Sequence, residues 1–204
     1  MNRGPAALAV LALAMLLGGC VTTMNVGYGE ARAARGPLSA IGSRRIRIDV
    51  TDRRPWPGEV IGYIILRSGT LPPAEYPDVL VAPRPVREVV QDALAAELRK
   101  NDHVVVTNEA DRSLAVDVRE FWVSSEQGFW SFRFSGTALI HMTVTDGRTG
   151  QALLTRDYQG QAIEHGQMNA KWNWKVAMNA ALEAMMRDVA TDSRLVEALG
   201  APSP

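Results

Sequence analysis

The longest regular pattern in the chain is an alternation of apolar and polar residues over positions 131–146, SFRFSGTALIHMTVTD. A period of two places one set of side chains on each face of a β-strand. The apolar set is Phe132, Phe134, Ala138, Ile140, Met142 and Val144, and the polar set is Arg133, Ser135, Thr137 and His141. Asp146-Gly147 favours a tight turn, after which QALLTRDYQGQA returns. The pattern therefore predicts a long antiparallel hairpin.

Shorter patterns surround this hairpin. RRIRIDVTD and HVVVT predict strands, and so does SLAVDVREFWVSS, whose phase slips near Arg119-Glu120 and so indicates a β-bulge. VREVVQDALAAELRKND and NAKWNWKVAMNAALEAMMRDVA carry apolar residues at helical spacing. We therefore predict an α+β fold, in which an antiparallel sheet of about four to five strands carries two main helices packed on one face.

The first twenty residues have the features of a secretory signal. Arg3 supplies a positive start, and an uncharged apolar run extends from Ala6 to Leu17. That run is shorter than the ~20 residues that a membrane-spanning helix needs. Leu17-Gly18-Gly19-Cys20 resembles the bacterial lipobox, in which the cysteine is acylated and becomes the first residue of the mature protein. The alternative is an ordinary signal peptide with an incidental cysteine.

Acylation of Cys20, for example with palmitate, would anchor the chain in a bilayer, because several acyl chains together hold firmly. Val21 follows Cys20 at a position where an aspartate favours the inner membrane, so we expect the periplasmic face of the outer membrane. Residues 1–19 are expected to be removed and residues 20–43 to form a lipidated, flexible tether. Residues 44–199 are expected to form a single α+β domain, and residues 200–204 a disordered tail.

The charge balance limits the function. The chain has 22 basic and 22 acidic residues, whereas proteins that bind nucleic acid through charge have a basic excess. Cys20 is the only cysteine, so no internal disulfide forms. The three histidines lack the spacing of a metal site, and no phosphate-binding loop is present. We predict no cofactor, no metal and no nucleic-acid partner.

Catalysis has one candidate set in this sequence. Glu164-His165 could act as an acid–base pair, and an enzyme acting on the cell wall would gather Glu164, His165 or Asp117 in one cleft. The residues show no nucleophile motif of the Gly-x-Ser-x-Gly type. The sequence therefore favours a protein without catalytic residues over a cell-wall enzyme.

Arg53 and Arg54 are one candidate for ligand contact, because paired guanidinium groups can clamp a carboxylate or a phosphate. The alternative is an ion pair with Asp52 or Asp49 at the end of a strand. Both interpretations stay open at the level of the sequence.

Trp122, Trp130 and Trp172 are the second candidate, because exposed aromatic side chains dock partners, lipids or sugars. The alternative is that these rings fill the space between helix and sheet. Trp172 and Trp174 are two residues apart and cannot share one helix face, so one of them is expected to face the core.

Several segments, taken in order, resemble the YajG-like bacterial lipoproteins. VTDRRPWPGEVIG, residues 50–62, is similar to that family's Asp-x-Arg…Ile-Gly segment, and the helical pattern before the Val-rich strand is similar too. Near the end of the chain, Asn179, Asp192, Leu195 and Leu199 lie where that family's pattern has them. The resemblance implies an envelope lipoprotein with no established catalytic residues.

The leading functional expectation is a non-enzymatic outer-membrane lipoprotein that binds an envelope protein or lipid through its α+β domain. Its bilayer contact would be the acylated Cys20. The alternative is an accessory lipoprotein subunit of a lipid or lipopolysaccharide transport assembly. That alternative predicts an apolar groove or a stable complex with a larger membrane protein.

Overall fold

The computed structural model describes residues 21–33, 35–64 and 78–202. Cys20, the predicted signal segment and the last two residues lie outside the described residues. The strands are β1 (Val21–Thr23), β2 (Arg45–Asp52), β3 (Val60–Ile64), β4 (Asp78–Val81), β5 (Val104–Val105), β6 (Arg112–Gln127), β7 (Phe132–Asp146) and β8 (Ala152–Gly166). The helices are a 3₁₀ helix (Pro37–Ile41), α1 (Val86–Lys100), α2 (Lys171–Thr191) and α3 (Ser193–Gly200).

The described strands form one eight-stranded mixed sheet, accompanied by three α-helices, so the expectation of a four- to five-stranded antiparallel sheet with two main helices is wrong. β6, β7 and β8 form an antiparallel meander. β2 and β3 both lie beside β6 and run parallel to it, β2 along its first half and β3 along its second. β5 borders β2, β4 borders β3, and β1 borders β4.

The sequence pattern does not reveal this sheet because several of its strands pair in parallel. Parallel neighbours are joined through long connections, so no turn motif marks them in the sequence. β1, β4 and β5 have three, four and two residues, which is too short for a periodic pattern. The long hairpin and the bulge, by contrast, are confirmed: β7 and β8 pair over nearly their full length, and the β6 register shifts between Val118 and Glu120.

α2 covers one face of the meander. A Cβ atom at Gly136 or Gly160 would clash with the α2 backbone, at Ala177 and Ala181 respectively, so glycine lets the helix approach the sheet closely. Trp174 and Met178 are fully buried in this layer. The opposite side of the meander, which we call the open face, carries mainly half-buried side chains on β7 and exposed side chains on β8. None of the described helices is long and apolar enough to cross a membrane.

Residues 21–33 and 35–43 are packed onto the domain where the composition predicts a flexible tether. β1 joins the sheet, and Met24, Val26 and Leu38 are buried. Buried polar side chains bind the backbone of this segment: Asn179 accepts from Gly27 N at 3.1 Å, Asn101 accepts from Gly36 N at 2.8 Å, and His103 Nε2 lies 3.1 Å from Leu38 O. Contacts of this kind leave no periodic signal, and the first strand of the described residues begins at Val21.

Candidate functional site

Three aromatic side chains pack together on the open face. The rings of Trp56 and Trp122 lie 5.6 Å apart, and Tyr63 lies 5.3 Å from Trp122 and 6.2 Å from Trp56, measured between centroids. Beside them is a depression of about 370 Å³, lined by Arg54, Pro55, Trp56, Arg119, Glu120, Phe121, Trp122 and Leu139. We call this site the aromatic depression. Trp56 remains 54% exposed, so an apolar ring is available to solvent at its rim.

The bulge in β6 shapes this site. After the register shift between Val118 and Glu120, Trp122 pairs with Thr137 and points to the open face, while Phe121 and Val123 are buried on the other face. A bulge turns the strand locally and re-aims its side chains. Arg119 and Glu120 both become exposed there and border the depression with opposite charges.

Arg54 holds the loop that carries Trp56. Its Nε and Nη2 donate to the two Asp52 oxygens at 2.9 and 2.7 Å, Nη1 donates to Val60 O and Phe121 O, and Nη2 also donates to Gly58 O. Every guanidinium N–H donor therefore has a partner, and the side chain is 4% exposed. The ion-pair alternative holds for Arg54, which has no donor left for a ligand.

The Asp52 carboxylate is stabilised in its charged form. Burial acts to raise the pKa of Asp52, but hydrogen bonds from Arg54 and from the backbone of Gly58 outweigh it and hold the pKa below its ordinary value. Arg53, by contrast, points outward, with its side chain 62% exposed and its Nε 3.5 Å from Asp117. Of the two arginines, only Arg53 can reach a partner from the surface.

Trp130 and Trp172 lie away from the aromatic depression. Trp130 is 84% exposed in the β6–β7 turn, with its ring centroid 4.7 Å from that of Phe129. Trp172 is 66% exposed at the start of α2, where Lys175 Nζ lies 5.5 Å from its ring centroid. Trp174 is fully buried, and its indole N–H donates to Asn169 at 2.7 Å. The expectation that one of the α2 tryptophans faces the core is confirmed.

Trp56 and Tyr63 were not among the sequence candidates. Trp56 sits in the Pro-Trp-Pro loop, outside any periodic pattern, and Tyr63 belongs to a strand that pairs parallel to β6. The two flanking prolines restrict the backbone around Trp56. An indole held between two prolines was the signal that could have indicated this residue.

Buried polar clusters outside the depression serve the fold. Arg112 and Asp146 form an ion pair at 2.8 Å, with side chains 0% and 1% exposed. Tyr158 donates to Asp192 at 2.7 Å, and burial, followed by this hydrogen bond, raises the pKa of Tyr158. Asp192 also accepts from Arg194 N and so caps α3. Each cluster joins the sheet to the end of the chain or to a turn.

The residues of the cell-wall enzyme hypothesis do not meet. Asp117 pairs across the sheet with His141, whereas Glu164 pairs with Phe134, seven positions further back on β7. At about 3.4 Å per residue, this separates the two carboxylates by roughly 24 Å along the strand. Within residues 21–33, 35–64 and 78–202, no group of three or more potential ligand side chains could hold a metal ion.

The fold and this site describe an α+β domain whose exposed sheet face carries an apolar depression. A family model described as "Uncharacterized lipoprotein" matches residues 42–200, and the chain belongs to this lipoprotein family. No curated protein sequence matches the chain.

Solved structures are similar to this chain at low sequence identity. Protein XCC0632 from Xanthomonas campestris, of family DUF330, has a TM-score of 0.60 at 12% identity, over 86% of this chain and 95% of that one. Hypothetical protein CT253 from Chlamydia trachomatis has a TM-score of 0.46 at 10% identity, over 79% and 100%. A putative lipoprotein from Caulobacter crescentus has 0.39 at 17%, over 57% and 82%. The first of these comparisons shows a shared fold.

Proposed function

We propose that this lipoprotein is a non-enzymatic binding module, acylated at Cys20, on the periplasmic face of the outer membrane. Its partner is another protein of the envelope, which inserts an apolar side chain into the aromatic depression. The observation that carries this proposal is the cluster of Trp56, Tyr63 and Trp122 on the open face, with Trp56 54% exposed. The resemblance of residues 50–62 to the YajG-like lipoproteins supports placing the chain in that branch of lipoproteins.

The chemistry of the depression fits a protein partner. Its floor is apolar, and its border carries Arg119 and Glu120, with Arg53 and Asp117 close by. Protein–protein contacts concentrate their energy in aromatic anchors surrounded by a polar rim. Charges of both signs at the rim give orientation and specificity to an incoming protein surface.

Photo-crosslinking in intact cells tests this site. A photoreactive amino acid at Arg119, in the lipidated full-length protein, is expected to yield a discrete adduct with one envelope protein, identified by mass spectrometry. The double variant Trp56→Ala, Trp122→Ala should remove that adduct while circular dichroism shows a folded domain. The matched control places the probe at Thr155, which is exposed on the same sheet but lies outside the depression, and should give no such adduct.

The results separate the possible occupants. An adduct that persists in the double variant would contradict the role of the depression. Native mass spectrometry of the extracted protein is the second readout. A bound lipid that disappears in the double variant would replace the protein partner by the alternative function, an accessory subunit in lipid or lipopolysaccharide transport.

The anchor has its own test. Cys20→Ser is expected to move the protein from the membrane fraction to the soluble periplasmic fraction, and the wild type should carry the mass of acyl chains. Lipidation at this residue would be ruled out if the wild type carried no acyl mass and if the wild type and Cys20→Ser remained in the membrane fraction to the same extent.

A further inference from the structure

The two ends of the sheet differ in their exposed apolar side chains. β6 ends at Gln127, and the following turn exposes Phe129 by 88% and Trp130 by 84%. β8 ends at the same level, because Gly166 pairs with Phe132. Met168, 71% exposed, and Trp172, 66% exposed, follow directly. These residues therefore gather at one end of the sheet.

The path of β1 brings the start of the mature chain to this same end. β1 runs parallel to β4, β4 runs antiparallel to β3, and β3 runs parallel to β6. β1 therefore runs opposite to β6, and its first residue, Val21, lies towards the end where β6 finishes. Val21 is 66% exposed. We call Val21, Phe129, Trp130, Met168 and Trp172 the apolar end.

The exposed large apolar side chains are concentrated at one end of the sheet. Of the eight large apolar side chains that are exposed in the described residues, five form the apolar end, and Trp56 and Ile163 lie on the open face. Val104 belongs to the opposite end, where β5 pairs with the start of β2. Across the apolar end, the order β1-β4-β3-β6-β7-β8 spans five strand spacings, or roughly 24 Å at about 4.8 Å each. Val21 therefore lies at one edge of the sheet, and the other exposed apolar groups lie beside β6, β7 and β8 towards the opposite edge.

We infer that the apolar end rests on the lipid bilayer, with Phe129, Trp130 and Trp172 in the membrane interface. This inference relies on the proposed acylation of Cys20. Because Cys20 is bonded directly to Val21, and β1 begins at Val21, no linker separates the acyl chains from the folded domain. An anchor without a linker holds this end of the domain against the surface that contains the acyl chains.

The side chains suit that surface. Indole rings concentrate at membrane–water interfaces, where an apolar ring meets a polar boundary. Lys175 lies over the Trp172 ring and can extend its ammonium group towards head groups while its methylenes remain in apolar contact. Apolar insertion, rather than charge, is the source of attraction.

The charges at this end support that mechanism. Among the described residues, Arg133, Lys171 and Lys175 are balanced by Asp78, Glu126 and Glu164. A balanced surface has no strong preference for anionic lipids. The contact is therefore expected to form on zwitterionic phosphatidylcholine and to resist added salt.

A single introduced cysteine can report the contact, because the only natural cysteine carries the anchor. Ser131→Cys lies at the apolar end, and Arg148→Cys lies in the turn at the opposite end. Each variant, acylated and labelled with an environment-sensitive fluorophore, is placed as one copy per phosphatidylcholine nanodisc containing brominated lipid. We expect quenching at position 131 to exceed that at position 148 at least about threefold, because interfacial residues lie within the acyl boundary.

The triple change Phe129→Ala, Trp130→Ala, Trp172→Ala in the Ser131→Cys protein should reduce quenching to the level at position 148. Its acyl mass and its retention in the nanodisc should not change. The matched control, Val104→Ala, removes an exposed apolar side chain at the opposite end and should leave quenching at position 131 unchanged.

Equal quenching at the two positions in acylated protein would overturn the inference while leaving the proposed function intact. Absence of acyl mass on Cys20 would overturn both. Shielding of position 131 only when a disc holds two copies would assign the apolar end to self-association, and shielding only in native membranes would assign it to a protein partner. Either result overturns the lipid contact.

Discussion

The turn that follows Asp146 is closed by its own polar groups, whereas the turn from Gly128 to Ser131, at the other end of β7, presents two aromatic rings to solvent. Asp146 Oδ1 accepts from Arg148 N at 3.1 Å and from Thr149 N at 2.9 Å, and its Oδ2 pairs with buried Arg112. In the other turn, Gly128 N donates to Ser131 O at 2.7 Å, and Phe129 and Trp130 point outward.

The first turn therefore contributes to folding stability, whereas the second is available for contact with another molecule. The end of the sheet that carries the Asp146 turn and Arg112, which we call the polar end, buries charged and polar groups that are costly to leave without partners. Its residues therefore matter for folding. The apolar end exposes rings that contribute little to folding, because folding does not bury their surface. An exposed Phe-Trp pair that does not stabilise the domain indicates a surface made for contact with something outside it.

The largest effect is expected at the polar end. Asp146→Ala leaves the Arg112 guanidinium buried without its carboxylate partner, and breaking such a pair costs about 3–5 kcal/mol in free energy of unfolding. Urea denaturation followed by circular dichroism measures this loss. Arg148→Ala in the same turn is the control, with an exposed side chain and a change within about 0.5 kcal/mol. A cost below about 1 kcal/mol for Asp146→Ala would remove the distinction between the two ends.

A smaller effect is expected at His103, which joins the polar end to the N-terminal segment. Arg44 N donates to Nδ1 at 3.3 Å, and Nε2 lies 3.1 Å from Leu38 O. The neutral ring, with its proton on Nε2, satisfies both contacts. His103→Ala at pH 7.5 leaves these backbone groups without their partner and is expected to lower the free energy of unfolding by about 1–3 kcal/mol.

The same histidine makes stability depend on pH. Burial, reinforced by nearby Arg44 and opposed by the Leu38 hydrogen bond and Asp102, lowers the pKa of His103 below its ordinary 6.5. On acidification, His103 is therefore protonated at a higher pH in the unfolded chain than in the folded protein. The free energy of unfolding should fall as the pH drops below 6.5 towards the folded-state pKa. His103→Gln should flatten this part of the urea-denaturation profile. An unchanged slope between wild type and His103→Gln would contradict a buried neutral imidazole.

The sequence predicted the elements whose pattern is long. Phe134 to Val144 alternate over enough positions to define a strand and its buried face, and the phase slip at Arg119-Glu120 indicated the bulge that shapes the aromatic depression. The parallel pairing of β2 and β3 with β6 has no local signature. The same holds for residues 21–43, whose backbone is held by Asn101, His103 and Asn179 from distant parts of the chain.

The candidate site, too, could be predicted only in part from the sequence. The type of residue suggested Trp122, Trp130 and Trp172, but their grouping depends on the topology. Trp122 lies beside Trp56 because β3 and its preceding loop pair with the second half of β6. Trp130 and Trp172 lie at one end because β8 returns to the start of β7. The chemistry of a single residue does not show which residues will be its neighbours in the fold.

The smallest effect on folding is expected at the apolar end. Phe129→Ala with Trp130→Ala should change the free energy of unfolding by less than about 1 kcal/mol, measured without membranes by urea denaturation, because both side chains are largely exposed. Phe134→Ala is the matched contrast, because Phe134 lies in β7 just after this turn, faces α2 and is 0% exposed. It should cost about 3–5 kcal/mol in free energy of unfolding. If Phe129→Ala with Trp130→Ala destabilised the domain as much as Phe134→Ala, these two rings would support the fold. Their exposure would then no longer indicate an external contact.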